Sequence, residues 1–217
     1  MKDYLLIFTA CSLLLCCDRE PEMPNATVIT MTTAVSSVGF NIEGSGTATI
    51  EWGDGTVRKI HSLTRNNSAS YTIQWAHYYS DASAHTIQLT SANITEFACY
   101  YNELTALDIS GWAFKITRLD CSVNQLTSLD VSGCVGLESL NCGSNLLTSL
   151  DVSKCTALKI LNCSKNQLSA DALDALFESL PRTVYAYPYL INVYGNPGAN
   201  DCNKIIAENK GWDVIVE

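Results

Sequence analysis

The feature that most constrains this chain is a string of eleven residues that recurs four times between residues 94 and 168. Its pattern is apolar-x-x-apolar-x-Cys-x-x-Asn-x-Leu, and its asparagines follow one another after 22, 21 and 21 residues. A second string, Leu-Asp-Ile/Val-Ser, lies between the copies and begins at Leu107, Leu129 and Leu150. One copy is too short to bury its own apolar residues, so the copies are expected to stack on one another. The two most regular columns are Cys99, Cys121, Cys142 and Cys163, and Asn102, Asn124, Asn145 and Asn166.

Both columns favour structural roles. Each cysteine follows an apolar strand position by two residues, so its side chain is expected to point into the core, where a free thiol behaves as a compact hydrophobe. Each asparagine falls where the chain leaves the strand, and its amide can satisfy backbone groups of that turn. Cysteines on separate coils, without a C-x-x-C pair, make a poor zinc site, and side chains that point the same way from parallel strands are badly placed for a disulfide. We therefore predict no metal and no cofactor here, with Asp108, Asp130 and Asp151 capping turns and calcium as their alternative role.

The two strings resemble the leucine-rich-repeat family, in the short-repeat variety of bacterial surface proteins such as internalins. The resemblance implies a solenoid whose strand residues form a concave recognition face. The outward positions that we predict for this face are Glu96, Tyr100, Tyr101, Arg118, Asp120, Asn141, Asn162 and Lys165. Two readings stay open for Tyr100 and Tyr101: they anchor a ligand, since tyrosine packs and hydrogen-bonds at low entropic cost, or they fill a joint between domains.

Residues 26–92 have a different texture, with alternating apolar and polar residues that are typical of half-buried strands. The turn Trp52-Gly53-Asp54-Gly55 and the later His77-Tyr78-Tyr79 resemble the PKD type of immunoglobulin-like β-sandwich. The resemblance implies that the tryptophan is core and the turn structural, with calcium at Asp54 as the alternative. Residues 93–217 are predicted to hold the repeats, with a C-terminal α/β cap from about residue 169 and a helix capped by Ser169. The predicted class is therefore α+β: a PKD-like sandwich, then a leucine-rich-repeat solenoid and its cap.

The N-terminus is predicted to be a targeting segment. Lys2 precedes an apolar run that is too short to span a bilayer and that ends at Cys16-Cys17. The run resembles a bacterial lipoprotein signal, which makes residues 1–16 the signal peptide and Cys17 the lipidated residue, with Cys16 as the alternative. The acidic cluster within the linker 17–25 is similar to the export signal of surface lipoproteins in the Bacteroidota. The resemblance implies an outer-membrane lipoprotein that is exposed on the cell surface, whereas an ordinary cleaved secretory peptide remains the alternative.

Charge and motifs narrow the function. The net charge of −9 gives the chain no electrostatic reason to bind nucleic acid. None of its three histidines stands in a metal-ligand motif, and neither a nucleophile elbow nor a phosphate-binding loop occurs. We predict a monomeric, non-catalytic binding or adhesion module that recognises a protein and touches the membrane through its N-terminal lipid alone. The alternatives are a glycan-binding accessory lipoprotein and a structural spacer, and Cys202 is expected to be buried or disulfide-bonded. The tyrosines considered for the glycan are Tyr185, Tyr187, Tyr189 and Tyr194.

Overall fold

The computed structural model describes residues 27–63, 74–81, 83–91, 93–112, 115–183 and 189–217. Its strands are β1 (Thr27–Thr33), β2 (Ser37–Gly44), β3 (Gly46–Glu51), β4 (Val57–Leu63), β5 (Trp75–Tyr78), β6 (His85–Ser91), β7 (Ile94–Ala98), β8 (Ala106–Asp108), β9 (Arg118–Asp120), β10 (Ser139–Asn141), β11 (Ile160–Asn162), β12 (Tyr189–Asn192) and β13 (Trp212–Ile215). Its helices are α1 (Ala170–Ser179), α2 (Ile205–Glu208) and a 3-10 turn, Ser110–Trp112.

Two sheets account for these strands. The first has five strands in the order β4-β3-β6-β1-β8, and its neighbours pair antiparallel. The second has eight strands in the order β13-β12-β11-β10-β9-β7-β2-β5. Within it, β2 pairs antiparallel with β5 and β7, whereas the strands from β7 to β13 are all parallel. Alternation along each strand sends every second side chain into the core, as in Leu119, Leu140 and Leu161 at the centres of β9, β10 and β11.

The predicted α+β class is wrong, because strands hold 37% and helices only 9% of the described residues, and the fold is β-rich. Between the strands of the repeats, the chain returns through tight turns, as where the Cys134 N–H donates to the Val131 oxygen at 2.9 Å. Nor does a solenoid follow a separate sandwich as we expected. β2, from the first part of the chain, pairs with β7, the first repeat strand, and both belong to one continuous sheet.

The buried apolar residues form one continuous cluster that extends from the first sheet to the C-terminal helices. At the junction, Phe40 of β2 contacts both Trp52 and Phe97, with ring centroids 5.4 Å and 5.8 Å apart. β2 therefore has two structural roles. Its backbone pairs with β7 and continues the eight-stranded sheet, and its inward side chains pack against the first sheet.

The C-terminal region contains both α-helices. The predicted capping of α1 is confirmed, because the Ser169 hydroxyl accepts a hydrogen bond from the Ala172 N–H at 3.2 Å. The second helix, α2, has only four residues, Ile205–Glu208, and Lys204 at its N-cap position makes no side-chain capping bond. Within the described ranges, no helix is long and apolar enough to cross a membrane.

Candidate binding face

The asparagine column ties the parallel strands together. The Asn145 amide donates to the backbone oxygens of Cys121 and Cys142 at 3.0 and 3.1 Å, and its oxygen accepts the Leu126 N–H at 3.0 Å. Asn124 and Asn166 make the same three kinds of bond one copy earlier and one copy later. Each amide thus joins its own strand end to the preceding copy, in a buried position where an unpaired backbone group would be costly.

The column has two features that the repeat alone did not reveal. Asn102 has no earlier copy to bind, and instead it bonds both the N–H and the oxygen of Gly39 in β2, at 2.8 and 2.7 Å. Asn196, after β12, forms a further rung by donating to the Cys163 oxygen and accepting from the Leu168 N–H. The spacing of Ile191, Val193 and Asn196 matches that of the apolar, cysteine and asparagine positions in the repeats, and this pattern was the missed signal. The interval to Asn196 is longer than in the other copies, so simple periodicity concealed it.

The outward face of the eight-stranded sheet carries two rows of side chains in register. The first row is Glu43, Glu96, Arg118, Ser139, Ile160, Leu190 and Asp213. The second row is Asn41, Ala98, Asp120, Asn141, Asn162, Asn192 and Ile215. Five of the predicted face residues stand in these rows, and β2, β12 and β13 extend the rows beyond the predicted repeats.

Several side chains of the second row accept hydrogen bonds from the backbone just beyond their own strands. Asp120 accepts hydrogen bonds from the backbone N–H of Ser122 at 3.0 Å and from its hydroxyl at 2.6 Å. Asn162 likewise accepts the Ser164 N–H at 3.1 Å. Asn141 accepts the N–H two residues later and also donates to the second oxygen of Asp120 at 3.0 Å. These residues therefore offer a partner only part of their hydrogen-bonding capacity.

A pocket of about 270 Å³ opens on this face where β2, β7, β9 and β10 meet. The pocket forms because the second-row residue of β7 is small. Ala98 occupies the position at which β9, β10 and β11 have an aspartate or an asparagine. The missing side chain leaves a depression between Asn41 and Asp120. The lining residues are Asn41, Glu43, Glu96, Phe97, Ala98, Arg118, Leu119, Asp120, Ser139 and Asn141.

A backbone irregularity directly follows Glu43, at the edge of this pocket. The register of β2 against β7 shifts between Glu43 and Gly44, and a Cβ on Gly44 would lie 2.0 Å from the Asn93 oxygen. Glycine alone can approach the neighbouring chain so closely. Just before this shift, Glu43 lies directly opposite Glu96 in the regular register, and the guanidinium Nε of Arg118 lies 3.9 Å from a Glu96 carboxylate oxygen.

The other end of the face is apolar. Ile160 and Leu190 are direct register partners on β11 and β12, and their exposed fractions are 50% and 42%. Ile215 is also exposed, on β13 at the edge of the sheet. Large apolar side chains that stand next to each other in solvent are a feature of recognition surfaces, whereas isolated ones are common everywhere.

The residues just beyond the strands form a third, strained column. Tyr101, Val123, Ser144 and Lys165 all have positive φ, between 52° and 59°, which L side chains rarely adopt. Tyr101 is 74% exposed, and its ring meets that of the half-buried Tyr100 edge-on, with centroids 6.2 Å apart. The Tyr101 ring therefore lies mostly in solvent, and its contact with a ligand stays a prediction.

Two of the four tyrosines considered for a glycan, Tyr189 and Tyr194, lie in the described part of the chain. Tyr189 packs edge-on against Trp212, and Tyr194 lies 46% exposed near the Lys165 ammonium, which is 6.0 Å from the centre of its ring. Tyr185 and Tyr187 fall outside the described residues, as do the lipidation candidates Cys16 and Cys17.

All seven cysteines in the described ranges are free. Burial raises the pKa of Cys99, Cys121 and Cys142 well above the usual value, and that of Cys163 to about 12. Such thiols stay protonated and unreactive. Within the same ranges, no cluster of three or more His, Cys, Asp or Glu is arranged to hold a metal ion. Cys202 is half-buried, and its thiol donates to the Ala199 oxygen.

Asp54, the alternative calcium position, is engaged by its own turn. One carboxylate oxygen accepts the N–H and the hydroxyl of Thr56, and the other lies 2.7 Å from the His77 Nε2. Hydrogen bonds from Thr56, followed by that from His77, hold the pKa of Asp54 well below its usual range. The His77 ring stacks on Trp52, which is itself buried in the core. This arrangement orders the turn and leaves neither oxygen without a partner.

No family model matches the chain, and no curated protein matches it. Among solved structures, the chain is similar to the functional domain of InlJ from Listeria monocytogenes, a structure described as including a cysteine ladder. The identity is 25%, the TM-score is 0.44, and the match covers 56% of this chain and 24% of that one. A superposition this loose does not establish a common overall fold.

Proposed function

We propose that this chain is a non-catalytic binding module that engages a protein through the outward face of its eight-stranded sheet. The observation that carries the proposal is the asymmetry of that sheet. One face is in the core, while the other presents a charged pocket and the exposed pair Ile160 and Leu190. A polar area beside an apolar one, on a rigid scaffold, is the usual composition of a protein-recognition surface.

The scaffold supports this role because its face is held in place by the backbone network beneath it. The asparagine bonds fix the strand ends, and the turn bonds of Asp120 and Asn162 fix the row above them. A rigid surface loses little conformational entropy on binding, so more of the contact energy becomes affinity.

Site-specific photo-cross-linking tests the proposal. A benzoylphenylalanine at Ser139, in the middle of the face, is expected to capture a protein from the surface of interacting cells. The same probe at Glu178, on α1 and away from the sheet, is the control. Equal capture at the two positions would contradict the proposed face, and silence at both would favour a structural spacer.

The anchoring is a separate part of the proposal. A lipid on Cys17 would hold the module on the outer surface of an outer membrane, where a protein partner can reach it. Membrane fractionation of the Cys17→Ala and Cys16→Ala chains distinguishes the two candidate cysteines. Loss of membrane association in the first alone supports Cys17, whereas unchanged association of both would reject the anchor.

A further inference from the structure

We infer that the pocket around Ala98 receives a basic side chain, arginine or lysine, from an extended segment of the protein partner. In this inference an apolar side chain of the same segment packs on Ile160 and Leu190. It rests on the proposed function and adds to it the chemistry of the partner.

The size of the pocket points to a side chain. At about 270 Å³ it lies just below the range of roughly 300–1,000 Å³ that is typical of small-molecule sites. Its floor is the backbone of β7 and β9, since the side chains of Phe97 and Leu119 are buried beneath the sheet. One side chain that enters from above can fill such a depression, while the rest of its segment stays on the surface.

The charge of the pocket selects a cation. Three of the lining residues, Glu43, Glu96 and Asp120, carry carboxylates, and one, Arg118, carries a guanidinium, which gives a formal charge of −3 + 1 = −2. A basic group that enters the depression beside Ala98 lies between β7 and β9, where Glu96 and Asp120 are the nearest carboxylates along the two strands. Its positive charge complements the net negative charge of the lining residues.

Arg118 leaves room for that cation. Its side chain is 63% exposed, and its Nε stands 3.9 Å from Glu96, at the limit of an ion pair and far from a bidentate arrangement. An exposed pair of this kind contributes little, typically below about 1 kcal/mol, so a second cation can share Glu96 at small cost.

The distance between the two anchor points defines the partner segment. Three strand spacings separate the middle of the pocket, between β7 and β9, from the pair Ile160 and Leu190 on β11 and β12. At about 4.8 Å per spacing, this distance is about 14 Å. In an extended segment, side chains four residues apart point the same way and lie about 13 Å apart, which matches. Ser139, the first-row residue between the two anchors, is small enough to let the segment lie close to the sheet.

A fluorescent peptide tests the inference with the full chain. The probe is a capped serine/threonine nonapeptide with one arginine and, four residues later, one leucine; control peptides carry glutamine for the arginine or alanine for the leucine. Fluorescence anisotropy is expected to show binding to the wild-type chain that weakens on the order of tenfold for the glutamine peptide, as loss of one charged hydrogen bond predicts. The alanine peptide should also bind more weakly, because it cannot cover Ile160 and Leu190.

Substitutions in the pocket test the same contact from the side of the protein. Ala98→Asn fills the depression with the residue that Asn141 and Asn162 place in the same row, and it should remove the preference for arginine over glutamine. The double variant Glu43→Gln with Glu96→Gln should do the same without changing size, and it decides the matter if Ala98→Asn does not fold. Glu178→Gln, which removes an exposed carboxylate on α1, should bind like the wild type.

Three results would overturn the inference: equal binding of the arginine and glutamine peptides, a preference that persists in both pocket variants, or no binding up to millimolar peptide. If the cross-link at Ser139 still captures a protein in any of these cases, the binding face stands and only the chemistry assigned to the pocket fails. If Glu178 cross-links as well as Ser139 does, the face itself is wrong.

Discussion

Replacing Asn145 by alanine is the most direct test of how this chain holds its strands together. Asn145 is 4% exposed, and its amide makes three bonds of 3.1 Å or shorter to backbone groups, beside a longer one of 3.4 Å to the Gly143 oxygen. The Cys121 and Cys142 oxygens keep a second donor, from Asn124 and Asn166 respectively, so each loses one of two asparagine bonds. The Leu126 N–H is left with a hydrophobic methyl where its acceptor was.

These contacts set the size of the effect. An orphaned buried N–H costs about 1–3 kcal/mol, and each lost bond to an oxygen that keeps another donor adds about 0.5–1.5 kcal/mol. The expected loss of unfolding free energy for Asn145→Ala is therefore about 2–6 kcal/mol. The matched control is Asn162→Ala, since that residue is half-buried and accepts one bond, from the Ser164 N–H, so its loss should stay below about 1 kcal/mol.

Urea unfolding followed by circular dichroism and by tryptophan fluorescence measures both variants, and agreement of the two probes checks for a single transition. The midpoint should fall strongly for Asn145→Ala and slightly for Asn162→Ala, with similar slopes. If the two substitutions cost the same, the buried amide column does not hold the strands together and the reasoning is refuted.

Three further predictions concern strain, thiols and acid. Val123 is a β-branched residue at φ 54°, so Val123→Asn should raise the unfolding free energy by about 1 kcal/mol in the same urea assay, because asparagine tolerates this conformation; a loss would contradict the strain. In native protein at pH 8, iodoacetamide followed by peptide mass spectrometry should modify Cys202 before Cys121, Cys142 or Cys163, because burial holds the pKa of those three thiols far higher; equal rates would show that the core opens readily. The pKa of Asp54 is lowered in the fold from 3.8, chiefly by Thr56 and then by His77, so its contribution to stability is complete above about pH 4 and is lost as the pH falls through the lower folded value. Acid titration of thermal stability should consequently be shallower for Asp54→Asn than for the wild type, and parallel curves would refute the linkage.

The positions of the repeat strands could be predicted largely from the local periodicity of the sequence. The recurring asparagines mark the ends of β7, β9, β10 and β11, because each copy repeats the same turn geometry and so needs the same buried amide. Ser169 marked the start of α1 for a similar reason, since a helix terminus needs a side-chain acceptor next to it in sequence. Features like these can be predicted because the interacting groups lie within a few residues of each other.

The fold class and the pocket could not be predicted in that way, because both depend on pairing between distant segments. Nothing in the residues around Glu43 says that β2 will accept β7 as a neighbour, and a sheet edge offers the same backbone groups to any strand. Without that pairing the repeats form a unit of their own, and Asn41 and Glu43 have no relation to Glu96. The predicted face consequently lacked Asn41 and Glu43. The predicted class treated the sandwich and the repeats as separate domains, whereas β2 joins them in one sheet.

The position of the pocket follows from this junction. In β9, β10 and β11, the second-row residue is an aspartate or an asparagine. Its side chain accepts the backbone N–H two residues later and so stabilises the turn at the end of its own strand. At β7 the next strand in the sheet comes from outside the repeat, and Ala98 breaks the row. The place where the repeat begins is thus the place where its face is free to differ in shape and charge. A partner that binds this face should depend most on the residues of the junction and on the exposed pair Ile160 and Leu190, and least on the regular second row that the repeat itself requires.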